Sequence, residues 1–412
     1  MNIFNSLGSN YTFSFALKHA LTVPSRSAAA RLKKLLAKKY GGEVTLTYKG
    51  REAITLALRA VAAQQKWLPE DTAVAVNGFT CFAVYEAVRA AGFQVRPLDI
   101  NHRSLNFSAA MLADAVSNHP EIKIVIIQNT LGYACDIEGI TAICRDRKLV
   151  LIEDLAHSIG TVYTSGREAG LTGDFTVLSM SQDKVVDGVS GGALVVRTKK
   201  FATHVDGEEK FLIKGRRAQL KDRWYPLLTW KIRATYWSGF GKIFHAVLRR
   251  LGALPRPVQP RQSLKHTWPY QLPSLHAQAI LWQMQRLKPV QEHRRRIAEI
   301  YFQELDNRLL LYKQEASLRD ASHLRFPIVV KERDKLIHSL KKHGVHVSDI
   351  WYDAPFAPKK YIHLTDYAGT CPNAEAMSAK ILNLPTHVHV SEHQARRIAH
   401  LINTWVNEQA SL

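Results

Sequence analysis

The chain has 412 residues and carries 56 Lys and Arg against 35 Asp and Glu, which gives a formal net charge of +21. With 46% apolar and 22% charged residues it has the composition of a folded globular protein, and its length predicts two or three domains. Its four scattered cysteines and the absence of any apolar run of membrane-spanning length exclude disulfide scaffolds and polytopic membrane proteins.

Strand and helix patterns alternate from residue 42 onward, after a basic helical segment at residues 1–41. Apolar residues at every third or fourth position predict helices, and short β-branched runs predict buried strands. In chain order these are helix REAITLALRAVAAQ, strand TAVAVNG, helix FAVYEAVRAAG, strand QVRPLDI, a helix at about 108–117, strand IKIVIIQ, helix IEGITAICRDR and strands KLVLIED, DFTVLSMS and GALVVR. This alternation predicts an α/β domain at residues 42–290 with a mostly parallel, doubly wound sheet.

The C-terminal part of the chain predicts a small α/β domain at residues 291–412. Its elements are helix HRRRIAEIYFQEL, strand HLRFPIVV, helix RDKLIHSLKKHGV and a terminal helix ARRIAHLINTW. Before them, an insertion at about 205–265 interrupts the large domain, and it ends in the Pro-bearing linker LPRPVQPRQS at residues 254–263.

Residues 224–254 of this insertion repeat large apolar side chains at helical spacing. The repeating positions are Trp230, Trp237, Phe244 and Leu251, with Phe240, Val247 and Leu254 three further on. Lys231, Lys242 and Arg249 lie on the other side, and two glycines, Gly239 and Gly241, predict a break into two helices. The apolar face either packs on the rest of the chain, binds a partner protein, or lies on an anionic membrane surface.

Three features fall at the ends of predicted strands, where open α/β sheets bind ligands. KLVLIEDLAH places Asp154 at the end of a buried strand, and SMSQDK places Lys184 just past the next strand. YKGREAI places Gly50 at a helix N-terminus, whose N–H groups can hold a phosphate. Each feature alone is ordinary, but together they meet the needs of pyridoxal phosphate: an amine for its aldehyde, a carboxylate for its pyridine nitrogen and a cradle for its phosphate.

The run Gly188-Val189-Ser190-Gly191-Gly192 also fits G-x-S-x-G, the nucleophile motif of α/β-hydrolases. That motif requires a helix after the serine, whereas the strand GALVVR follows here. We therefore predict a turn next to Lys184 rather than a hydrolase site.

Four blocks of the chain resemble the DegT/DnrJ/StrS family of pyridoxal-phosphate-dependent sugar aminotransferases. They are VNGFTCFAVYEAVRAAGFQVRPLDI, VLIEDLAHSIGTVYTSGREAGLTGDFTVLSMSQDK, LHAQAILWQMQRL and CPNAEAMSAKILNLPTH, of which the second and fourth are specific to the family. The resemblance runs from about residue 48 to 405 and is weak between 199 and 273. It implies the fold type I architecture of the aspartate aminotransferase superfamily, pyridoxal phosphate as cofactor, no metal, and a homodimer.

The resemblance also implies roles for individual residues. Lys184 matches the lysine that binds the cofactor covalently and moves the proton during catalysis. Asp154 matches the partner of the pyridine nitrogen, and Ser179 matches the phosphate-binding serine. Arg51 and Glu52 occupy the positions whose backbone N–H groups hold the phosphate.

Other positions depart from the family pattern. His157 stands where Gln is usual against the 3-hydroxyl of the cofactor. Cys81 stands where an aromatic ring usually stacks on the pyridine ring, so either Cys81 packs there or Phe82 takes over. In HTWPYQLPS, Pro269 replaces the Asn that the partner subunit usually brings to the phosphate, and Gln271 replaces an Arg; WYDAPFAPKKY lacks the usual histidine.

The resemblance implies amino transfer, with glutamate as donor, to a nucleotide-linked or lipid-linked keto-sugar in cell-surface polysaccharide or secondary-metabolite biosynthesis. One alternative is a sugar dehydratase, which Lys184 opposes because those relatives replace the lysine with histidine. Another is a degenerate member that acts as a membrane-associated binding or assembly protein.

The cysteine usage and the absence of a signal-peptide pattern predict a cytoplasmic protein. The excess positive charge is concentrated in the N-terminal helix, the insertion and residues 294–296. Beside tryptophans and tyrosines, this charge favours an anionic membrane surface or a phosphorylated substrate over nucleic acid.

Overall fold

A computed structural model of the chain describes residues 2–101, 104–255, 258, 269–348 and 351–410. Most of the predicted linker at 254–263 and the first three residues of HTWPYQLPS lie outside the described residues.

The N-terminal segment is helical, as predicted, but it begins with a short strand that the sequence did not indicate. This strand, β1 (Ile3–Phe4), pairs in parallel with residues 345–346 far along the chain. Helix α1 (Phe13–Leu21) starts at Thr12, whose hydroxyl accepts a hydrogen bond from the backbone N–H of Phe15. Helix α2 (Ala28–Tyr40) follows and buries one face, at Leu32, Leu36 and Tyr40.

A seven-stranded sheet forms the centre of the following part of the chain. Its strands are β2 (Glu43–Thr47), β3 (Ala73–Asn77), β5 (Gln94–Leu98), β6 (Ile122–Ile127), β7 (Val150–Asp154), β8 (Phe175–Ser179) and β9 (Gly192–Val196). The spatial order is β2-β9-β8-β7-β6-β3-β5, and only β9 runs antiparallel to its neighbours. The predicted mostly parallel sheet is confirmed.

Helices cover both faces of this sheet, which is why its central strands read as continuous apolar runs. They are α3 (Gly50–Gln65), α4 (Phe82–Ala90), α5 (Ala109–Asn118), α6 (Ile137–Asp146), α7 (Lys199–Ala202) and α10 (Ser274–Gln285). One core cluster joins the sheet to α2, α5, α6 and α10, and a second joins it to α3, α4 and α7. The sheet is therefore doubly wound.

The C-terminal elements form a smaller α/β unit around an antiparallel strand pair. They are α11 (Leu287–Glu304), α12 (Ala316–Arg319), β10 (Phe326–Val329), α13 (Arg333–Lys342), β11 (Val345–His346), β12 (Phe356–Ala357), α14 (Pro372–Lys380), β13 (Ile381–Leu384) and α15 (Glu392–Ala410). Strand β10 pairs with β13, and β12 pairs with β4 (Thr80–Cys81) of the larger unit. Helix α11 runs unbroken through position 290, where the sequence placed the domain boundary.

The insertion forms two helices, α8 (Arg216–Ala234) and α9 (Phe240–Arg250), as the two glycines predicted. Gly239 has a φ of +82°, a backbone conformation that glycine adopts readily. At Gly241 an added Cβ would lie 2.2 Å from the carbonyl oxygen of Ile232, so glycine also allows α9 to approach α8. In the described part of the chain no helix combines the length and apolar character needed to cross a bilayer.

Candidate active site

The N-terminus of α3 faces the carboxyl end of β8. Gly50 is the first residue of α3, and a Cβ at this position would lie 2.8 Å from Cβ of Ser179 and 3.2 Å from its hydroxyl oxygen. Because glycine allows this close approach, the first turn of α3 and the Ser179 hydroxyl lie next to each other. A helix N-terminus next to a hydroxyl is a ready site for a phosphate group.

The side chains of the next two residues are used for other contacts. Arg51 forms an ion pair with Glu86, with 2.5 Å between Nη1 and Oε2. Glu52 folds back over the helix start, where its Oε2 accepts hydrogen bonds from the backbone N–H groups of Tyr48 at 3.1 Å and Lys49 at 3.2 Å. The Glu52 N–H also donates to the Lys49 carbonyl oxygen at 3.1 Å. Both residues lie in the first turn of α3, where the family resemblance implied backbone contacts to the phosphate, and that role stays a prediction.

Asp154 and Lys184 lie at the same edge of the sheet, close enough for each charge to affect the other. Asp154 ends β7 and is 4% exposed, and Lys184 lies in the turn after β8. Burial raises the pKa of the Asp154 carboxyl from 3.8 to about 6, while the hydrogen bond from the Ala156 N–H and the charge of Lys184 oppose this rise. Burial likewise lowers the pKa of the Lys184 amine, which favours its neutral, nucleophilic form.

The N-terminal segment holds the turn that carries Lys184. Asn10 donates its side-chain N–H to the Lys184 carbonyl oxygen at 2.8 Å and accepts a hydrogen bond from Arg294 of α11 at 2.8 Å. The Asp187 carboxylate accepts from the Tyr11 hydroxyl at 2.5 Å and from the N–H of Val189 at 2.9 Å. The contacts made by Asn10 and Tyr11 join residues more than 170 positions apart, so no local pattern predicted them.

His157 lies beside two aromatic residues from the small unit. Its Nδ1 accepts a hydrogen bond from the Leu131 N–H at 3.2 Å and lies 3.1 Å from the Tyr352 hydroxyl. The Trp351 ring stacks on His157 with 5.5 Å between centroids, and Lys184 Nζ lies 4.7 Å from the Trp351 ring centroid. Burial, followed by the charges of Lys184 and Arg325, holds the pKa of His157 well below its usual value, so the imidazole is neutral.

Trp351 and Tyr352 lie at the site although no motif of the sequence predicted them there. The only signal was their place at the start of WYDAPFAPKKY, the segment noted for its missing histidine. Both reach His157 because the fold brings the small unit against the carboxyl ends of the sheet strands.

Cys81 and Phe82 point to different places. Phe82 is 3% exposed and packs in the core, 6.0 Å from the Tyr85 ring centroid and 5.5 Å from that of Tyr361. Cys81 is partly exposed and lies close enough to Lys184 for its thiol to influence the pKa of the amine. Of the two residues, Cys81 is the one that interacts with Lys184, whereas Phe82 is buried in the core.

The segment with the altered family motif lies next to the phosphate cradle in the same chain. The Pro269 carbonyl accepts from the Leu212 N–H at 2.9 Å, and the Gln271 N–H donates to the Leu212 carbonyl at 2.9 Å. Between them, the Tyr270 carbonyl accepts from the Tyr48 N–H at 2.9 Å, and the Tyr270 N–H donates to Glu52 at 3.3 Å. This segment therefore supports the start of α3.

Two other chemistries have no support at this edge. Among the described residues, no group of three or more His, Cys, Asp or Glu side chains is arranged to hold a metal ion. Ser190 of the G-x-S-x-G run is buried and donates its hydroxyl to Asp222 at 2.8 Å, and strand β9 follows it. It therefore lacks the exposed strand-to-helix turn of a hydrolase nucleophile.

Comparison with known proteins agrees with this geometry. The profile of the DegT/DnrJ/EryC1/StrS aminotransferase family matches residues 26–403. MosB of Rhizobium meliloti is 32% identical over 39% of the chain, a match that spans 30% of that protein. The UDP-N-acetyl-3-dehydro-alpha-D-glucosamine 3-aminotransferase of Acidithiobacillus ferrooxidans is 26% identical over 86% of the chain and 81% of its own length.

Solved structures show the same fold. PseC of Helicobacter pylori, an aminotransferase involved in the biosynthesis of pseudoaminic acid, superposes with a TM-score of 0.72 over 99% of this chain and 100% of its own, at 14% sequence identity. At this identity the likeness establishes the architecture of the chain and leaves the chemistry to the residues of the site.

Proposed function

The chain belongs to the DegT/DnrJ/EryC1/StrS aminotransferase family, and on this basis we propose that it moves an amino group from glutamate to a nucleotide-linked keto-sugar. Family membership makes the chain a pyridoxal-phosphate-dependent transaminase. The observation that carries the proposal is the convergence of Lys184, Asp154 and the Gly50–Ser179 cradle at one edge of the sheet.

The residues at this edge fit pyridoxal phosphate. The cradle offers N–H groups and the Ser179 hydroxyl to the phosphate, with the backbone of Arg51 and Glu52 next in line. The Asp154 carboxylate, with a pKa of about 6, is mostly ionised near neutral pH and suits a protonated pyridine nitrogen. His157 offers a neutral imidazole to the 3-hydroxyl, and Cys81 lies where it can pack on the ring.

Pyridoxal phosphate supplies an electron sink that stabilises negative charge on the carbon bearing the transferred amine. Lys184 supplies the amine that binds the cofactor and, once released, takes the proton from the α-carbon of the donor. The lowered pKa of this buried amine favours its neutral form, which can accept that proton. Trp351 and Tyr352 limit the access of water on the side of His157.

The substrate class is supported by the relatives. The named activity of the Acidithiobacillus enzyme acts on a UDP-linked keto-sugar. A lipid-linked keto-sugar is the alternative acceptor. The altered segment at Pro269 and the absent histidine in WYDAPFAPKKY both change residues that contact the sugar in the family pattern.

We propose three domains, at residues 1–41, 42–290 and 291–412, with α11 continuous across the last boundary. We expect a homodimer, as the family implies.

A cytoplasmic location is part of the same proposal. All four cysteines are free thiols, which fits a reducing compartment.

The first experiment is a half-reaction in the absence of acceptor. Protein loaded with pyridoxal phosphate should convert L-glutamate to 2-oxoglutarate in an amount equal to the enzyme. The aminated enzyme is then mixed with each member of a panel of nucleotide keto-sugars, and the acceptor is the sugar that becomes aminated. Lys184→Ala should lose covalent cofactor retention after borohydride reduction, measured by mass spectrometry, and lose turnover by more than about 100-fold.

Lys199→Ala, an exposed lysine on α7, is the matched control and should behave as wild type. A protein that neither retains pyridoxal phosphate nor forms 2-oxoglutarate would instead support the binding or assembly role. Covalent retention in Lys184→Ala would show that another lysine binds the cofactor.

A further inference from the structure

We propose that helix α9 and the turn before it dock the enzyme on an anionic lipid surface. This goes beyond amino transfer, because the docking residues lie outside the site that carries the chemistry. The proposal rests on an exposed apolar row, on the side of α9 that packs elsewhere, and on the charge around both.

The apolar row is exposed to solvent. Trp237, in the turn between α8 and α9, is 79% exposed. Along α9 the row continues at intervals of three and four residues through Phe240 at 48%, Ile243 at 68%, Val247 at 48% and Leu251 at 73%. Five large apolar side chains at this exposure form a surface that water solvates poorly, and such surfaces are typical of protein or membrane contacts.

A different side of α9 packs on the protein. Gly241 is buried against the carbonyl oxygen of Ile232 on α8. The turn is anchored by Tyr236, whose ring lies 4.8 Å from Phe4 of β1 and 5.0 Å from His346 of β11. The hairpin is therefore held in place through Gly241 and Tyr236, while the apolar row points away from these contacts.

The chain segments that form α1, α2, α8 and α9 are strongly basic. Residues 1–42 and 211–255 together contain seventeen Lys and Arg but a single acidic residue, Asp222, which is 2% exposed, while Lys33 and Lys39 of α2 form ion pairs with Glu208 and Glu168. On and beside α9, the exposed cations are Lys231, Lys242, Arg249 and Arg250. Most of the net charge of +21 therefore lies in the segments that form α1, α2, α8 and α9.

Charge complementarity selects an anionic lipid surface as the occupant. A second copy of the chain seated on the same face would bring two strongly basic surfaces together, which costs electrostatic free energy. An anionic bilayer attracts the cations and accepts the apolar row at headgroup depth, and tryptophan is favoured at that depth.

The neighbouring helix α1 extends the exposed apolar area. Phe13, Leu17 and Leu21 are 47%, 38% and 66% exposed and are spaced four residues apart. Phe13 contacts Trp230 of α8, with 4.4 Å between ring centroids. Helix α1 thus lies against the same insertion, and its cation is Lys18.

The test is co-sedimentation of the full-length, cofactor-loaded protein with vesicles of phosphatidylcholine alone or mixed with phosphatidylglycerol. We expect binding to the mixed vesicles at low salt, little binding to phosphatidylcholine, and release at high salt. The triple variants Ile243→Ser/Val247→Ser/Leu251→Ser and Lys242→Gln/Arg249→Gln/Arg250→Gln should each weaken binding by more than about tenfold.

Matched controls test whether vesicle binding depends on the α9 surface or on exposed cations and apolar side chains anywhere on the protein. Lys123→Gln/Arg145→Gln/Lys148→Gln, on β6 and at the end of α6, removes three exposed cations, and Leu68→Ser/Leu364→Ser removes exposed leucines elsewhere. Both controls should bind vesicles as wild type does. All variants should retain the cofactor and the glutamate half-reaction, which also shows that they are folded.

Two outcomes would overturn the proposal. The first is equal vesicle binding by the α9 variants and the controls, or no binding by wild type. The second is a change of oligomeric state in the apolar α9 variant, measured by sedimentation velocity, which would assign the row to a second copy of the chain. A wild-type protein without the half-reaction would reject the proposed function. The vesicle result would still decide the docking proposal, because the docking residues lie outside the site.

Discussion

At the scale of a single residue, the burial of Asp154 lowers the stability of the cofactor-free protein near neutral pH. The carboxyl is 4% exposed, and burial raises its pKa from 3.8 to about 6. The folded, cofactor-free protein therefore binds the proton more tightly than the unfolded chain does. The free energy of unfolding therefore falls as pH rises from 3.8 to about 6, and it stays lower above that pH.

Asp154→Asn should remove this cost. In the cofactor-free protein at pH 8, we expect the free energy of unfolding of the variant to exceed that of wild type by about 3 kcal/mol. The gain should shrink to less than about 1 kcal/mol near pH 4, where wild type is also largely protonated. Urea denaturation across this pH range measures it, and a gain independent of pH would contradict the assignment. The same variant should bind pyridoxal phosphate more weakly.

Cys81 and Phe82 are neighbours in the chain but have different surroundings, so their substitution should have different effects. Phe82→Ala should destabilise the protein by about 3–5 kcal/mol, because the ring is buried between α4 and its neighbours. Cys81→Ala should change stability by less than about 1 kcal/mol but weaken the binding of pyridoxal phosphate. Denaturation and cofactor titration of both variants separate these effects. If Phe82→Ala weakened cofactor binding more than Cys81→Ala in folded protein, Phe82 would be the residue that covers the ring.

At the scale of elements, the segment between β1 and α1 connects parts that are distant along the chain. Strand β1 pairs with β11 of the small unit, and Asn10 links the Lys184 turn to Arg294 of α11. The first dozen residues therefore hold the turn that carries Lys184, although none of them belongs to the family motifs.

Asn10→Ala tests this linkage. The change leaves a buried Arg294 nitrogen and the Lys184 carbonyl without a hydrogen bond, so we expect a loss of about 1–3 kcal/mol in unfolding free energy. Cofactor retention should fall as well, because the lysine turn loses a support. Asn118→Ala, at an exposed Asn–Asp pair on α5, is the control and should change neither quantity. A variant that loses stability but keeps full cofactor affinity would limit Asn10 to a structural role.

At the scale of the whole molecule, the chain separates its chemistry from its charge. The site lies at the carboxyl ends of the sheet strands, whereas most of the excess Lys and Arg lies in the segments that form α1, α2, α8 and α9. Helix α8 packs on both α1 and α9, since Phe13 contacts Trp230 and Lys231 lies 5.3 Å from the Phe244 ring centroid. The vesicle experiments test this separation, because loss of membrane binding in the α9 variants should leave the glutamate half-reaction unchanged.

The fold could be predicted well where a pattern is local and repeated. Apart from β2, which no pattern predicted, the strands of the seven-stranded sheet and the covering helices between residues 42 and 196 form where the apolar patterns indicated, and so does the break at Gly239 and Gly241. Strands β1, β4, β11 and β12 have two residues each, too few for any periodicity, and they exist only because their partners are brought alongside.

By itself the sequence determined the doubly wound fold, the candidate lysine, carboxylate and phosphate cradle, and the split insertion, because each depends on spacing within one or two elements. Only the tertiary structure decided that Cys81 rather than Phe82 lies near Lys184 and that Trp351, Tyr352 and Asn10 join the site. It alone also showed that one apolar row of α9 is solvent-exposed. These depend on contacts between residues far apart in the chain, and a side chain's surroundings there are set by packing that no local pattern records.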